Sequence, residues 1–143
     1  MNERAEPFVV RCLTGKLMGA RAGQLSSMAE FVGFTELFRS EADKVVGPVV
    51  ICADYRQLQV LKEEVAIAVL TGLRQFNAKL ERSALMLPTH ATTLRLQMDR
   101  LLREAKHPGR RVCSDAAEVK AWPSSCLDAT EQSRLDEFLK APD

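Results

Sequence analysis

The stretch Val45–Leu58, VVGPVVICADYRQL, is an apolar run that ends on an acid, Asp54, and QVLKEEVAIAVLTGL follows it with the spacing of a helix. Strand, acid, turn, helix is the layout of many phosphate-binding and phosphorylated sites, because a helix N-terminus turns free backbone N–H groups toward an anion. Asp54 could itself accept a phosphoryl group or ligate a metal. That chemistry wants further acids near the first strand, which offers only Arg11, Cys12 and Leu13. The reading the residues favour is structural: Asp54 caps the turn or pairs with Arg56.

The other reactive side chains are scattered. Cys12, Cys52, Cys113 and Cys126 form no C-x-x-C pair, and three of them lie in apolar, strand-like runs. They read as buried, reduced, small hydrophobes. His90 and His107 do not pair at i, i+4 with each other or with a cysteine, so no metal site is visible. No serine sits in a G-x-S-x-G elbow, and Gly15, Gly19 and Gly23 lack the G-x-G pair of a nucleotide fingerprint. No cofactor is expected, and the chain is not read as an enzyme. The one local charge asymmetry runs from Arg95 to Arg111, with six basic and two acidic residues. It is either a solvated helix face with Asp99 and Arg103 as an i, i+4 pair, or a docking face for an acidic partner or a phosphate.

Bulk numbers narrow the setting. The 143 residues suit one domain, spanning 1–143, and allow a real core. Twenty basic residues against nineteen acidic ones exert no global pull on nucleic acid or anionic membrane. Without interleaved aromatics or a known motif, no nucleic-acid partner is expected. The charged start, MNERAEPFVVRC, is not a signal peptide, and no apolar segment approaches the ~18–20 residues of a membrane span. The expected location is cytoplasmic.

The elements that must position these residues alternate. A strand is expected over Pro7–Leu13, with a turn and a short second strand near Lys16–Met18. Ser27 to Glu30 is a capping box opening a helix to about Lys44. Its core face is expected at Met28, Phe31, Val32, Thr35, Phe38, Ala42 and Val45, with Phe34 off the stripe. Gly33 marks a close contact or a break. A central strand covered on both faces ends at Asp54. A helix from about Lys62 to Lys79 buries Val65, Val69, Gly72, Leu73, Phe76 and Leu80, with Ile67 and Leu70 widening the stripe; Gly72 would permit close helix–sheet approach.

A strand at Arg82–Pro88 leads to a helix starting at Thr89 or His90, with Leu94, Met98, Leu101, Leu102 and Ala105 inward, and His107-Pro-Gly ends it. The last strand is expected over Arg110–Asp115. A short helix follows, in which Val119 and Trp122 pack down. A final helix at about 130–140 carries an apolar stripe of Leu135, Phe138 and Leu139, which fits either a cap on the domain's own sheet or a homodimer contact. The fold class is α/β: a central, mostly parallel mixed sheet of 4–5 strands packed with 4–5 helices.

This order, strand, helix, GPVVICADYR, helix, ERSALMLP, helix, RRVCSDAAEVKAW, resembles the STAS fold and, more closely, the SpoIIAA-like or STAS-like proteins of bacteria. Their closing motif, R-x-F-x-D-x-x-E-A-x-x-W-L, is matched by Arg111, Asp115, Glu118 and Trp122, with Cys113 in place of Phe, Val119 in place of Ala and Pro123 in place of Leu. The resemblance covers residues 8–122 and leaves the last helix as an appendage. It implies a non-catalytic regulatory or scaffolding module that binds another protein. In anti-sigma-factor antagonists a serine after the central strand is phosphorylated. Here no serine or threonine follows Asp54 before Thr71, so that switch is not expected. The candidate partner-binding residues are Asp54, Tyr55, Arg56, Lys62 and Glu63 at the turn, and Arg95, Arg100 and Arg103 on the basic helix. A second reading, drawn from folds of the CRAL-TRIO type, is a carrier or sensor of a small apolar ligand or lipid.

Overall fold

Gly15, at φ +55°, turns the chain back on itself, so that β1 (Phe8–Thr14) pairs antiparallel with β2 (Leu17–Ala22). This computed structural model describes residues 8–23 and 25–140. Pro7, expected to open the first strand, lies outside them. After β2 come α1 (Met28–Ala42), β3 (Val49–Asp54), α2 (Glu63–Phe76), β4 (Leu80–Met86), α3 (Thr92–Ala105), β5 (Arg110–Cys113), α4 (Ala116–Ala121), a single 3₁₀ turn and α5 (Ala129–Lys140). The five strands lie in chain order, β1-β2-β3-β4-β5, and every pair after the first is parallel.

That order dictates where the helices go. Parallel crossovers are nearly always right-handed, and three successive ones stepping the same way put their helices on one face. One core accordingly lies between α1, α2, α3 and the sheet side carrying Val49, Ile51 and Ala53. Val50 and Cys52 alternate to the other side, where Val119 of α4 and Leu135, Phe138 and Leu139 of α5 meet them. Strand β3 is buried along its whole length, which explains its continuous apolar run. The final helix is therefore the cover of the second face rather than an appendage. Its stripe is occupied by its own sheet, with Leu135 and Phe138 each 1% exposed.

Several expectations shift by a part-turn or a few residues. Helix α1 stops at Ala42 and α2 at Phe76, Leu80 already belongs to β4, and α3 begins at Thr92 behind His90, which takes φ +66°. Strand β4 starts at Leu80 and ends at Met86, before Pro88, and β5 stops at Cys113, because Asp115 is taken up as the cap of α4. Helix α1 is rolled from its expected face. Phe34 is buried at 6% exposure, while Met28 and Val32 are 37% and 46% exposed. Three rings at 31, 34 and 38 cover more apolar area than a Met/Val stripe and win the inward face. Ile67 is likewise outside, at 58% exposure. Gly33 does not break α1; it rests against Phe8.

The caps behave as their residue types require. Ser27 Oγ accepts from Glu30 N at 3.2 Å, while Glu30 reaches back to Ser26 N at 2.9 Å, one residue earlier than a standard box. Arg111, Asp115, Glu118 and Trp122 form a clasp between β5 and α4. Asp115 caps α4 through Glu118 N, Glu118 accepts from Ser114 N, and the Trp122 ring lies 4.2 Å from the Arg111 guanidinium and 4.7 Å from that of Arg82.

Candidate functional site

Alternation along β3 sends Asp54 toward the α5 face and Tyr55 toward the α1 face, so the two neighbours serve different halves of the molecule. Asp54 is 8% exposed. Arg56 grips it in a fork, Nε to Oδ1 at 2.8 Å and Nη2 to Oδ2 at 2.7 Å, and adds its backbone N–H at 3.3 Å. Arg21, opposite Asp54 in the register of β2, places its Nε 3.5 Å from Oδ2.

Burial would raise the Asp54 pKa, but the hydrogen bonds from Arg56 and the charges of Arg56 and Arg21 outweigh it and hold the carboxyl below its ordinary value. The same two arginines cap the end of α5. Arg21 stacks 4.0 Å from the Phe138 ring centre and donates to the Phe138 carbonyl, and Arg56 reaches the Leu139 carbonyl at 3.5 Å. The other end of α5 is tied down too, since Glu131 accepts from Lys16 N at 3.0 Å in the β1–β2 turn. The Asp54 corner is thus a joint between two strand ends and a helix end.

The remaining singled-out residues lie apart from it. Lys62 precedes α2 without a side-chain cap bond, and Glu63 and Glu64 fill the first turn, where their charge suits the helix dipole. On α3, Arg95 pairs with Asp99 at 3.8 Å and Arg100 with Glu104 at 3.9 Å, in place of the expected Asp99–Arg103 pair. Arg103 is exposed on the same helix. Gln97 of α3 clamps Leu61, just ahead of Lys62, accepting from its N–H at 2.9 Å and donating to its carbonyl at 3.0 Å, so the turn before α2 lies against the basic helix.

Tyr55 points to a partly open apolar cavity of about 180 Å³ between the sheet and the roof made by α1 and α2. Its walls include Phe31, Phe34, Phe38, Tyr55 and Phe76. Phe34 meets Phe8 and Phe38 edge-on at 5.3 and 5.1 Å between ring centres, and Phe38 meets Phe76 at 6.0 Å. A Cβ built on Gly72 would stand 3.7 Å from the Phe31 ring of α1 rather than against the sheet, so the absent side chain leaves room in the roof. The floor is Ile51, Ala53, Ser83 and Leu85 of β3 and β4. Burial drives the Tyr55 hydroxyl well above its usual pKa, so it stays neutral.

The sequence carried a faint signal for this space. Phe31, Phe34 and Phe38 repeat at helical spacing, and Ser83 is the polar exception in the inward series 83, 85, 87.

Reactive groups elsewhere are committed or quenched. His107 Nε2 contacts the Leu80 carbonyl at 2.8 Å while Nδ1 accepts from Gly109 N at 2.9 Å, which holds the ring as a brace between strands. His90 is exposed on a turn. Burial raises all four thiols, Cys52 to about 12 and Cys113 to about 11, although Cys12 and Cys126 are only half-buried. Among the described residues no three metal-ligating side chains come together, and no helix is long and apolar enough to cross a membrane.

No family model matches the chain, and no curated protein matches it. Among solved structures it is similar to an uncharacterised protein of the DUF3478 family, with a SpoIIAA-like fold, from Shewanella loihica PV-4. The likeness has a TM-score of 0.60 at 15% identity and covers 85% of this chain and 98% of that one. At that identity the likeness speaks for architecture: the chain has a SpoIIAA-like fold.

Proposed function

We propose that the chain is a non-catalytic binding module that carries or senses a small apolar ligand in the cavity beneath α1. The observation that carries this reading is the partly open, aromatic-walled space of about 180 Å³ on the α1–α2 side of the principal core. Close-packed interiors rarely leave such room, and a dry apolar cavity of about 150 Å³ takes up benzene. The ligand is then of one-ring size or a short aliphatic chain. Absence of catalysis is supported by the braced His107, the raised thiols and the Asp54 carboxylate engaged by two arginines. A phosphorylation switch at the start of α2 has no hydroxyl to act on, since Lys62, Glu63 and Glu64 occupy that end.

Uptake is measured by thermal shift and native mass spectrometry with benzene, indole and short alkanols. Val69→Phe, which adds a ring on the cavity wall, is expected to abolish binding while the fold is kept. Wild type that binds none of these probes sinks the reading.

A second reading, docking of another protein, is favoured by the exposed apolar side chains Met28 and Val32 on α1, which stand on the roof of the same cavity. The candidate surfaces remain the exposed Lys62 and Glu63 beside Arg56, and the row Arg95, Arg100, Arg103. Affinity purification with the triple reversal Arg95→Glu, Arg100→Glu, Arg103→Glu tests the row. A partner retained by the reversed protein removes α3 from the proposal.

A further inference from the structure

The cavity has one polar feature set deep in an apolar wall. Ser83 is 4% exposed, lies on the floor, and its Oγ has no hydrogen-bond partner among the described residues. A buried hydroxyl without a partner destabilises the fold that holds it, so a fold tolerates one for a reason. Directly opposite it in the β4–β5 register stands Arg110, whose side chain lines the same cavity. Its guanidinium donates to Asn77 Oδ1 and to the Leu73 carbonyl, both neutral, which leaves donors over from the five it carries. Among the described residues no carboxylate lies within ion-pair distance of it, whereas Arg21, Arg56, Arg82, Arg95 and Arg100 each meet an acid or an aromatic ring.

We propose that Ser83 and Arg110 read the carboxylate of a small amphiphilic acid whose apolar body fills the cavity. A carboxylate has two acceptor oxygens. One matches the Ser83 hydroxyl and the other a spare guanidinium N–H, while the rings of Phe31, Phe34 and Phe76 take the hydrocarbon. Burial without an acidic neighbour lowers the Arg110 pKa to about 10, which still leaves it charged at neutral pH and short of an anion. About 180 Å³ matches a single short chain or one ring. Arg39, exposed on α1, is a further cation on the wall, but there solvent competes for an anion.

This assignment rests on the cavity reading above and is tested apart from it. Octanoate and its methyl ester are titrated into the full chain at neutral pH by calorimetry, with wild type, Ser83→Ala, Arg110→Gln and Arg39→Gln. Wild type is expected to favour octanoate over the ester by tenfold or more. Ser83→Ala is expected to weaken octanoate about three- to tenfold, and Arg110→Gln at least tenfold, each with little change for the ester. Arg39→Gln is expected to leave the preference intact. Should Arg110→Gln fail to fold without its bonds to Leu73 and Asn77, Ser83→Ala still decides, since it removes only an unpartnered hydroxyl. An ester bound as tightly as the acid, or a preference lost with Arg39→Gln alone, overturns the head-group assignment and leaves the cavity reading standing. Failure of both probes to bind overturns the head-group assignment, and the cavity reading falls with it only if benzene, indole and the alkanols also fail.

Discussion

Gly19 lies in the middle of β2 on the face that α5 covers, and a Cβ built there would meet the Phe138 ring at 2.8 and 2.9 Å and Leu13 Cδ1 at 3.0 Å. Phe138 is 1% exposed and rigid, so it cannot swing clear. Gly19→Ala should therefore push the ring outward, at a cost typical of overpacking, about 1–3 kcal/mol. Replacing a strand glycine returns about 0.5–1 kcal/mol through the unfolded chain. The net expectation is a loss of about 1 kcal/mol, or roughly 3 °C in Tm at this chain length. Gly72→Ala is the internal control. Its Cβ would sit 3.7 Å from Phe31, an ordinary contact, so the helix propensity gain of about 0.5–1 kcal/mol should appear as added stability. Urea unfolding followed by far-UV circular dichroism reads both, at unchanged m-value. A Gly19→Ala protein as stable as Gly72→Ala would refute the claim that Phe138 is seated on bare backbone.

Asp54→Asn should cost about 2–3 kcal/mol at neutral pH, because two arginines lose a shared carboxylate while one hydrogen-bonding oxygen remains. The Asp54 pKa is depressed in the fold, so its stabilisation is complete above the unfolded value of about 4 and disappears as pH falls through the folded one; the Asn variant should lose that acidic slope in denaturation midpoints. Leu135→Ala, at a site 1% exposed, should cost about 2–5 kcal/mol, and truncation before Ala129 should abolish cooperative thermal unfolding by baring Leu17, Val50 and Cys52. Thiol titration of the native protein should reach no more than Cys12 and Cys126, with Cys52 and Cys113 reacting only after denaturation.

The layered α/β order was readable because β3 is continuously apolar and α3 keeps its five inward positions, all of them buried in the structure. What the sequence misjudged was rotation. Helix α1 has apolar residues on more than one side, and the choice between Met28/Val32 and Phe34 was settled by tertiary packing rather than by period. The cap residues Ser27 and Asp115 were visible because their partners lie three residues on. The walls of the cavity were not, since they come from three helices and three strands, and an unpartnered Ser83 looks like any other serine until its surroundings are known. The role of α5 was undecidable from its stripe alone. It follows from the monotonic strand order, which leaves one face without a crossover helix.

That order also has a consequence in time. The hairpin that begins the sheet is made from residues 8–22, yet the helix that covers its second face comes from residues 129–140, and Lys16 meets Glu131 across 115 positions. During synthesis at about 5–20 residues per second, the side carrying Leu17, Val50 and Cys52 stays uncovered until the last helix has left the ribosome. Folding is thus weighted toward distant contacts, which slows it. The interval before α5 docks is when this protein is most exposed to aggregation.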